Sequence, residues 1–209
     1  MIIMKNKIDY IIQKIQNIKN IKILELGVQN GLSTKRFIEV CENNNGSLTS
    51  VDIDDCSNVV KSDRWKFIHS SDDDFEKIDK IIPASLDFIF IDSLHEPNHV
   101  EKVFYHYYSF LKKNGICIID DVSWLPYAKD QHRDNEFSEY INRSTFNKIC
   151  ETYNENKENF LLEFFFKDSG YAIITKINNL TLKKANKIKS REYGPKNLFR
   201  KFYKRKPKK

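Results

Sequence analysis

Short runs rich in Ile, Leu, Val and Phe alternate along this chain with stretches whose apolar residues recur every three or four positions. Brief β-branched runs suit strands buried on both faces, and parallel strands need crossovers that are usually helices. The order reads βαβα rather than a hairpin meander, which implies an α/β fold with a mostly parallel sheet.

Ile8, Ile11, Ile12, Ile15 and Ile18 mark an amphipathic opening helix ahead of a first strand at 21–27. A helix over 32–42 runs out in the turn-rich NNNG, and strands follow at 47–53, 65–69 and 86–92. Pro97 suits the first turn of a helix over 97–112, with Val100, Val103, Phe104, Tyr107 and Leu111 facing inward. Gly115 then leads into a fifth strand at 116–120, and a helix is expected over 135–153. Two last strands, 160–166 and 171–177, flank KDSG as an antiparallel hairpin. No repeat or internal boundary precedes residue 180, so 1–180 reads as one domain and 181–209 as a tail.

With 40% hydrophobic and 31% charged residues in 209, the chain holds enough apolar side chains for one core. Its apolar runs are too short to cross a membrane, and Lys5, Lys7 and Asp9 interrupt the N-terminus where a signal peptide would be unbroken. A cytoplasmic protein is expected. Cys41, Cys56, Cys117 and Cys150 form no CxxC pair, which argues against a zinc ribbon or disulfide framework.

Charge is unevenly spread. Residues 183–209 hold 13 Lys or Arg against Glu192 alone, a balance of +12, whereas 1–182 carry −6. The tail, with Tyr193, Phe199, Phe202 and Tyr203 interleaved, can meet the phosphates of nucleic acid or an anionic membrane surface, or simply remain a solvated extension.

The stretch ILELGVQNGLSTKRF places Gly27 and Gly31 between a strand and a helix, where backbone must approach a ligand closely. The GxxxG spacing differs from the GxGxxG dinucleotide fingerprint, and Glu25 disfavours a pyrophosphate while suiting a cationic ligand. Asp52 ends the second strand about 20 residues beyond the loop, where open α/β folds place an acid on ribose hydroxyls. A nucleoside without phosphates fits these residues together.

The motif ELGVQNG resembles the E/D-x-G-x-x-x-G motif of class I S-adenosylmethionine-dependent methyltransferases, a resemblance that spans 21 to about 176. It implies a Rossmann-like seven-stranded, mostly parallel sheet with an antiparallel C-terminal hairpin strand and helices on both faces. It also implies Glu25 near the methionine amine, Gly27 and Gly31 beside the cofactor, Asp52 on the ribose, and Ser71 and Asp72 bordering adenine.

Asp92 ends the fourth strand and Asp120 with Asp121 the fifth, so three carboxylates meet at the sheet's carboxyl edge, where ligands bind. Clustered acids repel unless a cation intervenes, and oxygen donors suit Mg²⁺ or Mn²⁺ better than zinc. FIDSLH and CIIDDV resemble metal-dependent small-molecule O-methyltransferases, whose general base follows the first metal aspartate by three residues. Catechol-type enzymes have Lys there and macrolide-sugar enzymes His; here it is His95. Alternatively, the acids merely open a solvated loop and His95 precedes the helix and caps its following, Pro97-initiated turn.

The expectation is a divalent-metal-assisted O-methyltransferase acting on a sugar, nucleotide sugar or other small vicinal diol, with 122–135 as a substrate-covering lid. An RNA methyltransferase using the basic tail and a non-catalytic cofactor-binding scaffold are the alternatives. A nicotinamide dehydrogenase is disfavoured by the glycine spacing.

Overall fold

The computed structural model describes residues 7–123 and 136–188. The expected lid, apart from Val122 and Ser123, and the tail from 189 onward lie outside them.

The chain forms α1 (Lys7–Ile15), β1 (Lys22–Leu26), α2 (Leu32–Asn44), β2 (Ser47–Asp52), β3 (Trp65–His69), α3 (Phe75–Asp79), β4 (Leu86–Ile91), α4 (Pro97–Tyr108), β5 (Leu111–Asp120), α5 (Glu136–Glu155), β6 (Phe160–Phe165) and β7 (Tyr171–Lys176). Seven strands lie in the order β3-β2-β1-β4-β5-β7-β6. β7 runs antiparallel to β5 and β6, and the other pairings are parallel. The expected Rossmann-like sheet with its closing hairpin is therefore the fold.

Period two along each strand feeds two cores. From β1 and β4, Ile23, Phe88 and Phe90 face one core with α1 and α2, while Leu24, Leu26, Ile89 and Ile91 face the other. There α4 contributes Val100, Val103, Phe104 and Tyr107, as its helical spacing requires. Helices thus cover both faces.

Two details depart from the expected elements. α4 stops at Tyr108 rather than 112, because Leu111 is buried and pairs with Leu86 as the first residue of β5. Register then shifts to Phe88 opposite Ile116, with 112–114 exposed and Asn114 at positive φ. The short helix α3 was not expected; Asp74 caps it by accepting from the backbone N–H of Lys77.

Residues 181–188, assigned to the tail by sequence, lie against the domain. Asn156 exchanges two hydrogen bonds with the Lys183 backbone, and Tyr105 donates to the Lys183 carbonyl. Among the described residues no helix is long and apolar enough to cross a membrane.

Phe37 of α2 is fully buried and meets Phe88 and Phe90 edge-on, with ring centroids 5.5 and 5.4 Å away. Replacement by Ala should cost about 3–5 kcal/mol of unfolding free energy, read from the denaturant midpoint at unchanged slope. A loss below about 1 kcal/mol would show that this face of the sheet is not tightly packed.

Candidate functional site

The parallel strands end along one edge of the sheet. Gly27 leaves β1 at φ +96°, and a Cβ there would lie 2.1 Å from the Asp92 carbonyl oxygen. Only glycine allows the first loop to pass so close to the end of β4. The Gly27 N–H donates to the Val51 carbonyl and the Asp92 N–H to that of Leu26, so the ends of β1, β2 and β4 are drawn together.

Asp52 fixes the same loop from the side. One carboxylate oxygen accepts the N–H groups of Val28 at 2.7 Å and Gln29 at 3.0 Å, and the other accepts that of Asp54. Partial burial pushes this carboxyl up, but the backbone donors outweigh it and hold the group below its ordinary range.

A cavity of about 960 Å³ opens over this edge. Gly27, Asp52, Ser71 and Asp72 line it, and His95, Asp92 and Asp120 line it as well. Asp72 is held in place by the Ser93 hydroxyl and by His99 Nε2 at 2.8 Å. Sequence reasoning gave His99 no task; its partner lies 27 residues away across two connections.

Glu25 and Gly31 are not in the cavity wall. Gly31 is the left-handed residue from which α2 starts. Glu25 has no exposed surface, and it accepts hydrogen bonds from Ser33 and Thr34 of α2 and from Ser50 of β2. Its carboxylate lies behind the loop, so its visible task is to tie three elements together. Burial pushes its carboxyl up to about 7, against the pull of the three hydroxyls.

Asp92, Asp120, Asp121 and His95 do converge. Asp121 sits at φ +58°, a conformation Asp tolerates better than most residues, and this ends β5. The turn lets adjacent carboxylates, which a strand would point to opposite faces, approach one group. His95 Nε2 lies 3.4 Å from Asp121 Oδ2 and 3.6 Å from Asp92 Oδ1. His95 does not cap α4: Glu96 does, accepting from the His99 N–H. The Asp92 carboxyl is raised well above the ordinary range, first by burial and then by Asp120, with Lys7 drawing it down and Asp121 adding to the rise.

The group on which the β5 acids converge belongs to the protein. Lys7 Nζ lies 2.6 Å from each carboxylate oxygen of Asp120 and 3.8 Å from Asp121 Oδ1. The expected Mg²⁺ or Mn²⁺ on Asp92, Asp120 and Asp121 does not fit this arrangement. The donor chemistry is right for a hard cation, but an ammonium holds both oxygens of Asp120. Among the described residues, no three His, Cys, Asp or Glu side chains are grouped so as to hold an ion.

Residues 24–122 match a family model described as a methyltransferase domain. No curated protein matches the chain. Among solved structures, a putative caffeoyl-CoA O-methyltransferase from Staphylococcus aureus superposes with a TM-score of 0.63 at 21% identity, over 84% of this chain and 85% of that one. The SAH-bound methyltransferase PaMTH1 of Podospora anserina gives 0.63 at 17%, over 82% and 78%. MycE, a methyltransferase of the mycinamycin pathway solved with Mg, SAH and mycinamycin VI, gives 0.56 at 18%, over 82% of this chain and 48% of MycE. The chain thus shares the fold of these methyltransferases.

Glu25 yields a pH test. The folded chain holds its proton more tightly than the unfolded chain, where the group titrates near its ordinary 4.5. Stability should therefore decline as pH rises from 4.5 through 7, by roughly 3 kcal/mol in all. Urea unfolding at acidic and mildly alkaline pH should show wild type losing roughly 3 kcal/mol more over that window than Glu25→Gln. Equal losses would mean that Glu25 is already ionised in the acidic fold.

Proposed function

We propose that this protein is an S-adenosylmethionine-dependent O-methyltransferase whose acceptor is a hydroxyl of a sugar or another small vicinal diol. The observation that carries the reading is that one cavity is lined both by Asp52 beside the Gly27 loop and by His95 beside Asp92. The methyltransferase-domain match over 24–122 supports the cofactor, as do two neighbours holding its demethylated product, SAH.

The residues fit such a cofactor. The cavity is of a size for a nucleoside with an amino-acid arm, and Asp52 is an ionised acceptor at its edge. Ile53, the next residue, keeps 71% of its surface exposed and gives the same wall an apolar face for a base. Ser71 and Asp72 border that region, and the Gly27 loop brings backbone rather than side chain to the ligand.

When bound, S-adenosylmethionine supplies an electrophilic methyl on a sulfonium. His95 Nε2 would take the proton of the acceptor hydroxyl as that oxygen becomes the nucleophile. Asp121, whose Oδ2 lies 3.4 Å from Nε2, would stabilise the imidazolium that results, with Asp92 at 3.6 Å on the same nitrogen. Leu94, 60% exposed in the same wall, covers the acceptor side with apolar surface and keeps water from the nucleophile. The acceptor class rests on His95 in the base position and on MycE, which is solved with mycinamycin VI.

Calorimetric titration with S-adenosylmethionine should give binding that Asp52→Ala weakens at least about tenfold, with no heat from NAD. A folded sample silent to S-adenosylmethionine would sink the reading. With an acceptor found by screening sugars and nucleotide sugars, His95→Gln should lose about 10²-fold or more in kcat while binding the cofactor as wild type does.

A further inference from the structure

Lys7 opens α1, 113 residues before its partner Asp120, and no spacing rule connects the two. Its ammonium meets both oxygens of Asp120, lies 3.8 Å from Asp121, touches the Ser169 hydroxyl of the β6–β7 turn, and stands 4.9 Å from the Tyr171 ring centroid. An ammonium has three donors, and these carboxylate and hydroxyl oxygens supply acceptors for them, with an aromatic face alongside. α1 is itself held down, since Ile11 and Ile15 are fully buried. The side chain of Lys7 is about a quarter exposed and lines the cavity, whereas that of Asp120 is 5% exposed. A buried acid pair of this kind needs one compensating cation, and the chain provides it from its own N-terminal helix.

We propose that Lys7 is a built-in cation of the Asp92, Asp120 and Asp121 cluster, taking the place of a divalent ion and excluding one from the site. The ammonium and a hard metal ion compete for the same Asp120 oxygens, and both cannot hold them at 2.6 Å or less. The tether favours Lys7, because a packed helix presents it and it gives up no translational freedom to reach the site. Removing the ammonium leaves uncompensated carboxylates, which a hard cation can then satisfy. The significance of the exchange for catalysis rests on the methyl-transfer reading; the exchange itself does not.

The test is calorimetric titration of metal-stripped full-length protein with Mn²⁺, and separately Mg²⁺, without cofactor or acceptor. Wild type and Lys7→Arg, which keeps the charge, should bind Mn²⁺ weakly. Lys7→Gln should bind it at least about tenfold more tightly, and its melting temperature should rise with Mn²⁺ while that of wild type stays put. Adding Asp120→Asn to Lys7→Gln should abolish the gain, locating the ion on the vacated carboxylate. Wild type binding Mn²⁺ as tightly as Lys7→Gln would overturn the proposal, and so would a folded Lys7→Gln that gains nothing. Because S-adenosylmethionine is absent, failure here is separate from failure of the methyltransferase reading, which its own titration decides.

Discussion

A carboxylate with no exposed surface stands where β1, β2 and α2 meet, and the loop that shapes the cavity depends on it. Glu25 binds hydroxyls in the first turn of α2 and one on β2. α2 starts from Gly31, which has no side chain to cap it, so its first turn is anchored instead through the hydroxyls of Ser33 and Thr34 on Glu25. Asp52 then holds Val28 and Gln29 from the other side. The loop between β1 and α2 is thus fixed at both shoulders by acids, and its backbone is presented to the cavity in one shape.

The architecture was legible because it is written in periods. Ile23, Leu24 and Leu26 in β1, like Phe88 through Ile91 in β4, serve two cores by alternation, and such runs declare doubly covered strands. The clustering of Asp52, Asp92 and Asp120 was legible too, since each closes or directly follows a strand and parallel strands end on one edge. The direction of a side chain at a strand end was not. Glu25 precedes Gly27 by two residues, and whether it enters the cavity or the sheet–helix junction depends on Ser50 waiting on the next strand. Lys7 was beyond sequence reasoning altogether: the periodicity that identified α1 describes the face holding Ile11 and Ile15 and says nothing of where its first residue reaches.

The bracing of Asp72 shows how the fold separates holding from reacting. His99 and Ser93 occupy both of its carboxylate oxygens, while Tyr107 donates to its carbonyl. Asp72 is therefore a fixed wall of the cavity, and His99 is committed to it. Glu96 has taken over the capping of α4. His95 is left as the imidazole at this edge whose neighbours are the strand-end acids Asp92 and Asp121.

Lys7 and His95 divide those acids between them. The ammonium binds Asp120 closely and reaches Asp121 only at 3.8 Å, while the imidazole lies nearer to Asp121, through its other oxygen, and to Asp92. The ammonium offsets negative charge chiefly on Asp120, while the imidazole faces Asp92 and Asp121. The helix that carries Lys7 packs against the sheet through Ile11 and Ile15, so the charge compensation of the strand-end acids is coupled to the packing of the chain's first helix.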